Sequence, residues 1–238
     1  CGHGQIVFPL QHKAAQRDQV HCGDLFGEPH PVGARHRNAA QLELPYHFAA
    51  KGLAARQQNH DVARRDGMVM ARQAGVVMAE SRLLDVAMPE GRSERFFASK
   101  RFDRRENTKL HMMTVSALVH ADFRTPALDY SELLKLTNAL TRSAVEVEKM
   151  ARLMIFNALS HNYDDHTKNF AFLCNESAIE GDIGQWTLAP AYDLTFSQGM
   201  GEHTTAFAGK GKPTRKLIKA LCKDYKYLKP DDYIEQTL

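Results

Sequence analysis

The sequence predicts an α+β fold, and three adjoining stretches predict it. Val145 to Leu159 places Val147, Met150, Ala151, Met154, Ile155 and Ala158 at intervals of three and four, the period of a helix with an apolar stripe. The polar run Ser160-His161-Asn162-Tyr163-Asp164-Asp165-His166-Thr167-Lys168-Asn169 follows at once. Phe170-Ala171-Phe172-Leu173-Cys174 and Gln185-Trp186-Thr187-Leu188-Ala189, separated by turn-rich composition, then read as the strands of a hairpin. The hairpin ends in Pro190-Ala191-Tyr192-Asp193-Leu194-Thr195, so Asp193 is expected to return toward Asp164 and Asn169.

With 238 residues, 43% of them apolar, the chain can bury one large core or two small ones. No apolar run reaches the roughly eighteen residues that span a membrane, so a soluble protein without membrane contact is expected. A net charge of +3, with basic residues spread along the chain, gives no reason to expect direct nucleic-acid binding. Cys1, Cys22, Cys174 and Cys222 form no Cys-x-x-Cys pair, which suits a reducing compartment and makes the cytoplasm the expected location. There is neither an initiator Met nor a secretory signal pattern, and the chain reads as a fragment.

Residues 1–66 are atypical. They hold seven of the twelve histidines and show neither a helical nor a strand period, which suggests an irregular or out-of-frame segment. His3, His12, His21 and His30 recur every nine residues near Cys1 and Cys22, but zinc sites use close ligand pairs, and a metal site is not expected. From Met68 the pattern changes. A helix is expected to end at Gly75, with strand material at Val76-Val77-Met78 and Ser81-Arg82-Leu83-Leu84. After the turn at Pro89-Glu90-Gly91, Arg95-Phe96-Phe97-Ala98-Ser99 forms a strand running into Lys100-Arg101-Phe102-Asp103-Arg104. His111 to Phe123 is helix-compatible, and Ser131 is expected to cap a helix beginning at Glu132. Beyond the hairpin, Gly209-Lys210-Gly211-Lys212 lacks the frame of a phosphate loop. Thr214 reads as the cap of an amphipathic helix with a solvated basic face, and Pro230 opens a last helix.

The polar run holds the kit of phosphoryl transfer: a carboxylate to take a hydroxyl proton, and an amide oxygen and a second carboxylate to hold magnesium over phosphates. Protein kinases space the base and the amide five apart, as Asp164 and Asn169 are here, and Asp193 takes the place of the second metal acid. The runs Asn162-Tyr163-Asp164-Asp165-His166-Thr167-Lys168-Asn169-Phe170 and Trp186 through Thr195 resemble the catalytic and metal loops of the HipA-like serine/threonine kinases.

The resemblance spans about residues 67–238 and implies a protein-kinase-like fold. Its mostly helical large lobe (99–238) would hold a β-hairpin active-site region, and residues 67–98 would be the remnant of an incomplete small lobe. It implies Asp164 as the catalytic base; Lys100, Arg101, Phe102, Asp103, His166, Lys168, Asn169, Tyr192 and Asp193 as nucleotide-binding; and Asn169 and Asp193 as magnesium ligands. The cofactors implied are ATP and Mg2+. The implied partners are a DNA-binding, HipB-like antitoxin and a protein substrate such as glutamyl-tRNA synthetase.

Two of these positions carry a second reading. Asp103 is placed either for a ribose hydroxyl or for an ion pair among its arginines, and His166 either for nucleotide or for loop structure. Members of the family often carry an acid where Lys100 stands, and hinge contacts there run through the backbone. No phosphate-covering loop or small-lobe lysine is evident in residues 1–98, where Lys13 and Lys51 are the only lysines and neither reads as lying in an apolar strand. Weak or absent activity is therefore expected, and a catalytically inactive, partner-binding remnant is the alternative. A hydrolase using Asp164, Asp165, His161, His166 and Asp193 around a metal is a third reading.

Overall fold

A computed structural model describes residues 48–51, 58–88, 91, 93–105, 108–122, 128–175, 185–197 and 201–238, with backbone alone for 48–51 and 58–65. The histidine-rich run from His3 to His30, Cys1, Cys22 and parts of the turns at Pro89 and 176–184 lie outside the described residues. Helices and small antiparallel sheets occupy separate stretches, the α+β arrangement. No helix of the described residues is long and apolar enough to cross a membrane.

Strands β1 (Phe48–Lys51), β2 (Ser81–Ala87) and β3 (Ser93–Lys100) form an antiparallel sheet in the order β1-β3-β2. Helix α1 (Gln58–Gln73) packs on it, beginning well before the Met68 start that periodicity suggests. As expected, Gly75 ends it: with φ of +77°, it lets the Val76 N–H reach back to the Ala71 carbonyl at 2.9 Å. Short strands β4 (Arg104–Arg105) and β5 (Thr108–Lys109) pair just past the end of β3.

The second three-stranded sheet holds the hairpin. Strand β7 (Ala171–Asn175) lies between β8 (Gln185–Leu188) and β6 (His111–Thr114). The helix expected over His111 to Phe123 is thus a strand followed by the single turn α2 (Val115–Leu118), capped by the Thr114 hydroxyl. A short apolar run has no decisive period of its own, and pairing with the free edge of β7 settles it.

Helix α3 (Tyr130–Thr141) starts two residues earlier than expected, and its cap is Asp129 rather than Ser131. The Asp129 carboxylate accepts from Ser131 N–H at 2.8 Å while Glu132 reaches back to the Asp129 N–H at 2.9 Å, a capping box. Gly209 also donates its N–H to Asp129, at 2.7 Å, so the glycine-lysine run braces this cap.

Helix α4 (Ala144–Leu159) is the centre of the core and is buried on more than its predicted stripe: Leu153, Phe156, Asn157 and Glu146 are covered as well. Strand β8 and helices α3 and α6 (Pro230–Thr237) cover it, and the Glu146 carboxylate accepts from the Leu188 N–H at 2.8 Å. Helix α5 (Arg215–Cys222) is capped by Thr214 as expected. Its basic face is not merely solvated, because Arg215 and Lys219 pair with Asp231 of α6 at 2.8 and 2.7 Å.

Candidate active site

The polar run leaves α4 through His161, whose φ of +55° turns the chain sharply. Asn162 folds back on the helix, its N–H on the Asn157 carbonyl at 3.1 Å and its amide on Asn157 Oδ1 at 3.0 Å. Asn157 Nδ2 donates to the Tyr130 hydroxyl at 2.9 Å, and that hydroxyl donates to Asp165 Oδ2 at 2.7 Å. Burial first, and then the Asp165 carboxylate, push the Tyr130 hydroxyl well above its ordinary range. Asp165, 0% exposed, also meets His203 Nδ1 at 3.0 Å and accepts the Thr205 N–H at 3.0 Å. It therefore holds the loop. The three-acid hydrolase reading fails on this point, because Asp165's oxygens are turned inward onto these donors.

Asp164 faces the other way, with its side chain 60% exposed. Partial burial pushes its carboxyl above the ordinary range; His166, with Nε2 3.8 Å away, opposes this, and the charges of Asp193 and Asp165 reinforce it. Thr167–Asn169 makes a single 3₁₀ turn that brings Asn169 back to donate through Nδ2 to the Asp164 carbonyl at 2.8 Å. Oδ1 is then the atom of that amide left to face a cation. The Tyr192 hydroxyl donates to the Lys168 carbonyl at 2.5 Å, tying the loop after β8 to the loop after α4. Next to it, exposed Asp193 sits at φ +54°, an uncommon conformation for a residue with a side chain. Asp164, His166, Lys168, Asn169, Tyr192 and Asp193 thus gather at one edge of the β6-β7-β8 sheet.

The stretch after β3 reaches the same edge through Phe102. Its ring packs on Tyr192 with centroids 5.7 Å apart, over Ala171, Leu173 and Ala189. The charged neighbours of Phe102 make ion pairs of their own. Lys100 pairs with Glu80 at 3.4 Å, and its N–H donates to the Glu80 carbonyl at 2.7 Å. Asp103 receives Arg101 at 2.8 and 2.5 Å and Arg104 at 2.6 Å. Burial alone would raise the Asp103 carboxyl, but the two guanidiniums outweigh it and hold it below the ordinary range. Of its two readings, the ion pair is the contact the side chain makes.

Two groups of residues escaped the sequence reading. The inward network of Tyr130, Asn157, His203 and Thr205 is one; its only signal was an Asn inside an apolar helix. The other is Lys51, which closes β1, opposite Phe97 of β3, although its surroundings did not read as a strand. The run Phe48-Ala49-Ala50 before it was the available signal.

Three comparisons bear on this arrangement. No curated protein matches the chain. Among solved structures, HipA of Shewanella oneidensis MR-1, determined with HipB and its operator DNA, superposes with a TM-score of 0.61 at 16% identity, over 82% of this chain and 50% of that one. The chain thus spans about half the length of that HipA. The Helicobacter pylori proinflammatory kinase CtkA superposes with a TM-score of 0.51 at 10% identity, over 80% of this chain and 84% of that one. Both share the mixture of helices with small sheets. The model of the HipA-like C-terminal domain matches residues 55–237, and by that match the chain belongs to the HipA-like family.

Proposed function

We propose that this chain is the catalytic portion of an ATP- and magnesium-dependent protein serine/threonine kinase of the HipA type. The observation that carries the reading is the meeting of Asp164, Asn169 and Asp193 at one exposed edge, on two loops joined by the Tyr192–Lys168 hydrogen bond. Asp164 is the base: its exposed carboxylate accepts the hydrogen bond of a Ser or Thr hydroxyl, and its raised proton affinity favours taking the proton as phosphate is transferred. The donor set fits magnesium, with one neutral amide oxygen from Asn169 and one carboxylate from Asp193 in a cluster of carboxylates whose mutual repulsion a cation relieves. When bound, magnesium supplies charge neutralisation over the ATP phosphates. Lys168 adds positive charge at the same edge, and His166 stands beside Asp164.

In this reading the backbone at Lys100 to Asp103 is the hinge for adenine, with Phe102 and Tyr192 forming the apolar seat below it. The β1-β3-β2 sheet and α1 are the small lobe, which reaches back to Phe48, upstream of the Gly67 boundary that composition suggests. Lys51 on β1 is its phosphate-binding lysine. Residues 99–238 are the large lobe. The likeness to the Shewanella protein, determined with HipB and operator DNA, extends the proposal to a HipB-like, DNA-binding partner. The resemblance of the two loops to the HipA-like kinases extends it to a protein substrate in translation.

Calorimetry of ATP with magnesium on this chain and on Asp193→Ala tests the nucleotide site. Binding that requires both magnesium and Asp193 is expected, followed by radiolabelled transfer that Asp164→Ala abolishes. If neither form binds nucleotide, the chain is the inactive, partner-binding remnant.

A further inference from the structure

The segment His203-Thr204-Thr205 lies outside both loops of the proposed site, yet it grips the residues on either side of Asp164. Thr204 takes hold of Tyr163: its N–H and its hydroxyl both donate to the Tyr163 carbonyl, at 3.1 and 2.9 Å. Thr205 takes hold of Asp165, its N–H on Oδ1 at 3.0 Å and its hydroxyl on the Asp165 carbonyl. His203 completes the grip with Nδ1 on Asp165 Oδ2 at 3.0 Å. Its ring is fully buried, edge-on to Tyr163 at 4.9 Å and to Phe207 at 5.1 Å. Between the two gripped residues, Asp164 alone points outward.

We infer that His203 is a positioning residue: acting through Asp165, it fixes the backbone that aims the Asp164 carboxylate. The chemistry supports a specific requirement. An ionised carboxylate only accepts, so the Nδ1 of His203 must carry a proton and donate. Asp165 Oδ2 then takes two donors, from His203 and Tyr130, each presented by a different part of the chain. Losing one leaves a fully buried carboxylate oxygen short of a partner, and the loop shifts to recover it. Asn in place of His203 presents an N–H at about the position of Nδ1 and is expected to keep the grip; Ala is not.

The inference rests on the kinase reading only for what Asp164 does, and its test does not depend on activity. Hydrogen–deuterium exchange would be followed by mass spectrometry on the full chain as wild type, His203→Ala, His203→Asn and Thr205→Val. Peptides covering 160–170 are expected to exchange about tenfold faster or more in His203→Ala and Thr205→Val, in line with loss of one buried hydrogen bond. Peptides from the body of α4 should remain at the wild-type rate, and His203→Asn should restore the loop. Unchanged loop exchange in His203→Ala, an Asn variant no better than Ala, or equal acceleration throughout α4 would each overturn the assignment. If the wild type binds no nucleotide while the loop responds as expected, the kinase reading fails and the brace stands.

Discussion

Asp164 sits where the fold makes its carboxyl harder to ionise. Partial burial and the charges of Asp193 and Asp165 raise its proton affinity against the opposing pull of His166. In the folded chain this carboxyl takes up its proton at higher pH than in the unfolded chain, so ionisation costs the folded state. That cost is fully present at neutral pH and disappears as pH falls below the ordinary carboxylate range. Asp164→Asn is therefore expected to raise Tm slightly at pH 7, by no more than ~1–2 °C because solvent screens this exposed carboxylate, with no gain below about pH 4, while abolishing phosphate transfer. Thermal melts of both proteins across pH measure this; an Asn variant less stable than wild type at pH 7 would remove the strain argument. The pH profile of transfer follows from the same shift, rising through a midpoint above the usual carboxylate value.

At the scale of elements, one helix start and one helix end make separate predictions. Asp129 serves both its own helix and Gly209, so Asp129→Ala should cost about 1–2 kcal/mol in chemical denaturation, the upper range for a cap. Gly75→Ala should cost more than ~1 kcal/mol, because φ there is +77° and a Cβ would stand 2.7 Å from Arg152 Nη1. That guanidinium has little room to give. It lies 4.1 Å over the Tyr233 ring, and it donates to Gln236 at 2.8 Å and to Glu148 at 3.0 Å. These cases also mark what the sequence discloses. Gly75, Thr214 and the stripe of α4 are local signals, and each acts in the structure as its pattern implies. Ser131 as a cap and His111 to Phe123 as a helix are local readings too, and both give way: the cap to Asp129, held by its neighbour Glu132 and by distant Gly209, and the helix to pairing with distant β7. The spacing of Asp164 to Asn169 was legible because one turn fixes it. The donors that hold Asp165, at positions 130, 203 and 205, were not, since only tertiary folding brings them together.

Over the described residues of the whole molecule, the stretches flanking the small sheet meet the helical body beside Tyr192 and Asp193. Strand β3 runs into Phe102, which lies on Tyr192, and nearby the Ala191 N–H donates to the Val77 carbonyl at 2.8 Å, just after α1. The residue before Asp193 therefore touches the stretch after β3, and the residue before that is bonded to the segment leading into β2. Lys51 closes β1, the strand on the far side of β3 from β2, with Phe97 opposite. The proposed kinase reading assigns phosphate-charge neutralisation to Lys51, and such neutralisation is a large share of catalysis in this reaction class. Lys51→Met should then lower phosphate transfer by ~100-fold or more, since charge developing in transfer loses its partner. Asp193-dependent binding of magnesium and ATP should weaken far less. Single-turnover transfer together with calorimetry separates the two effects. Equal transfer by both proteins would exclude Lys51 from the role, and equal loss of binding and transfer would assign it to holding ground-state ATP instead.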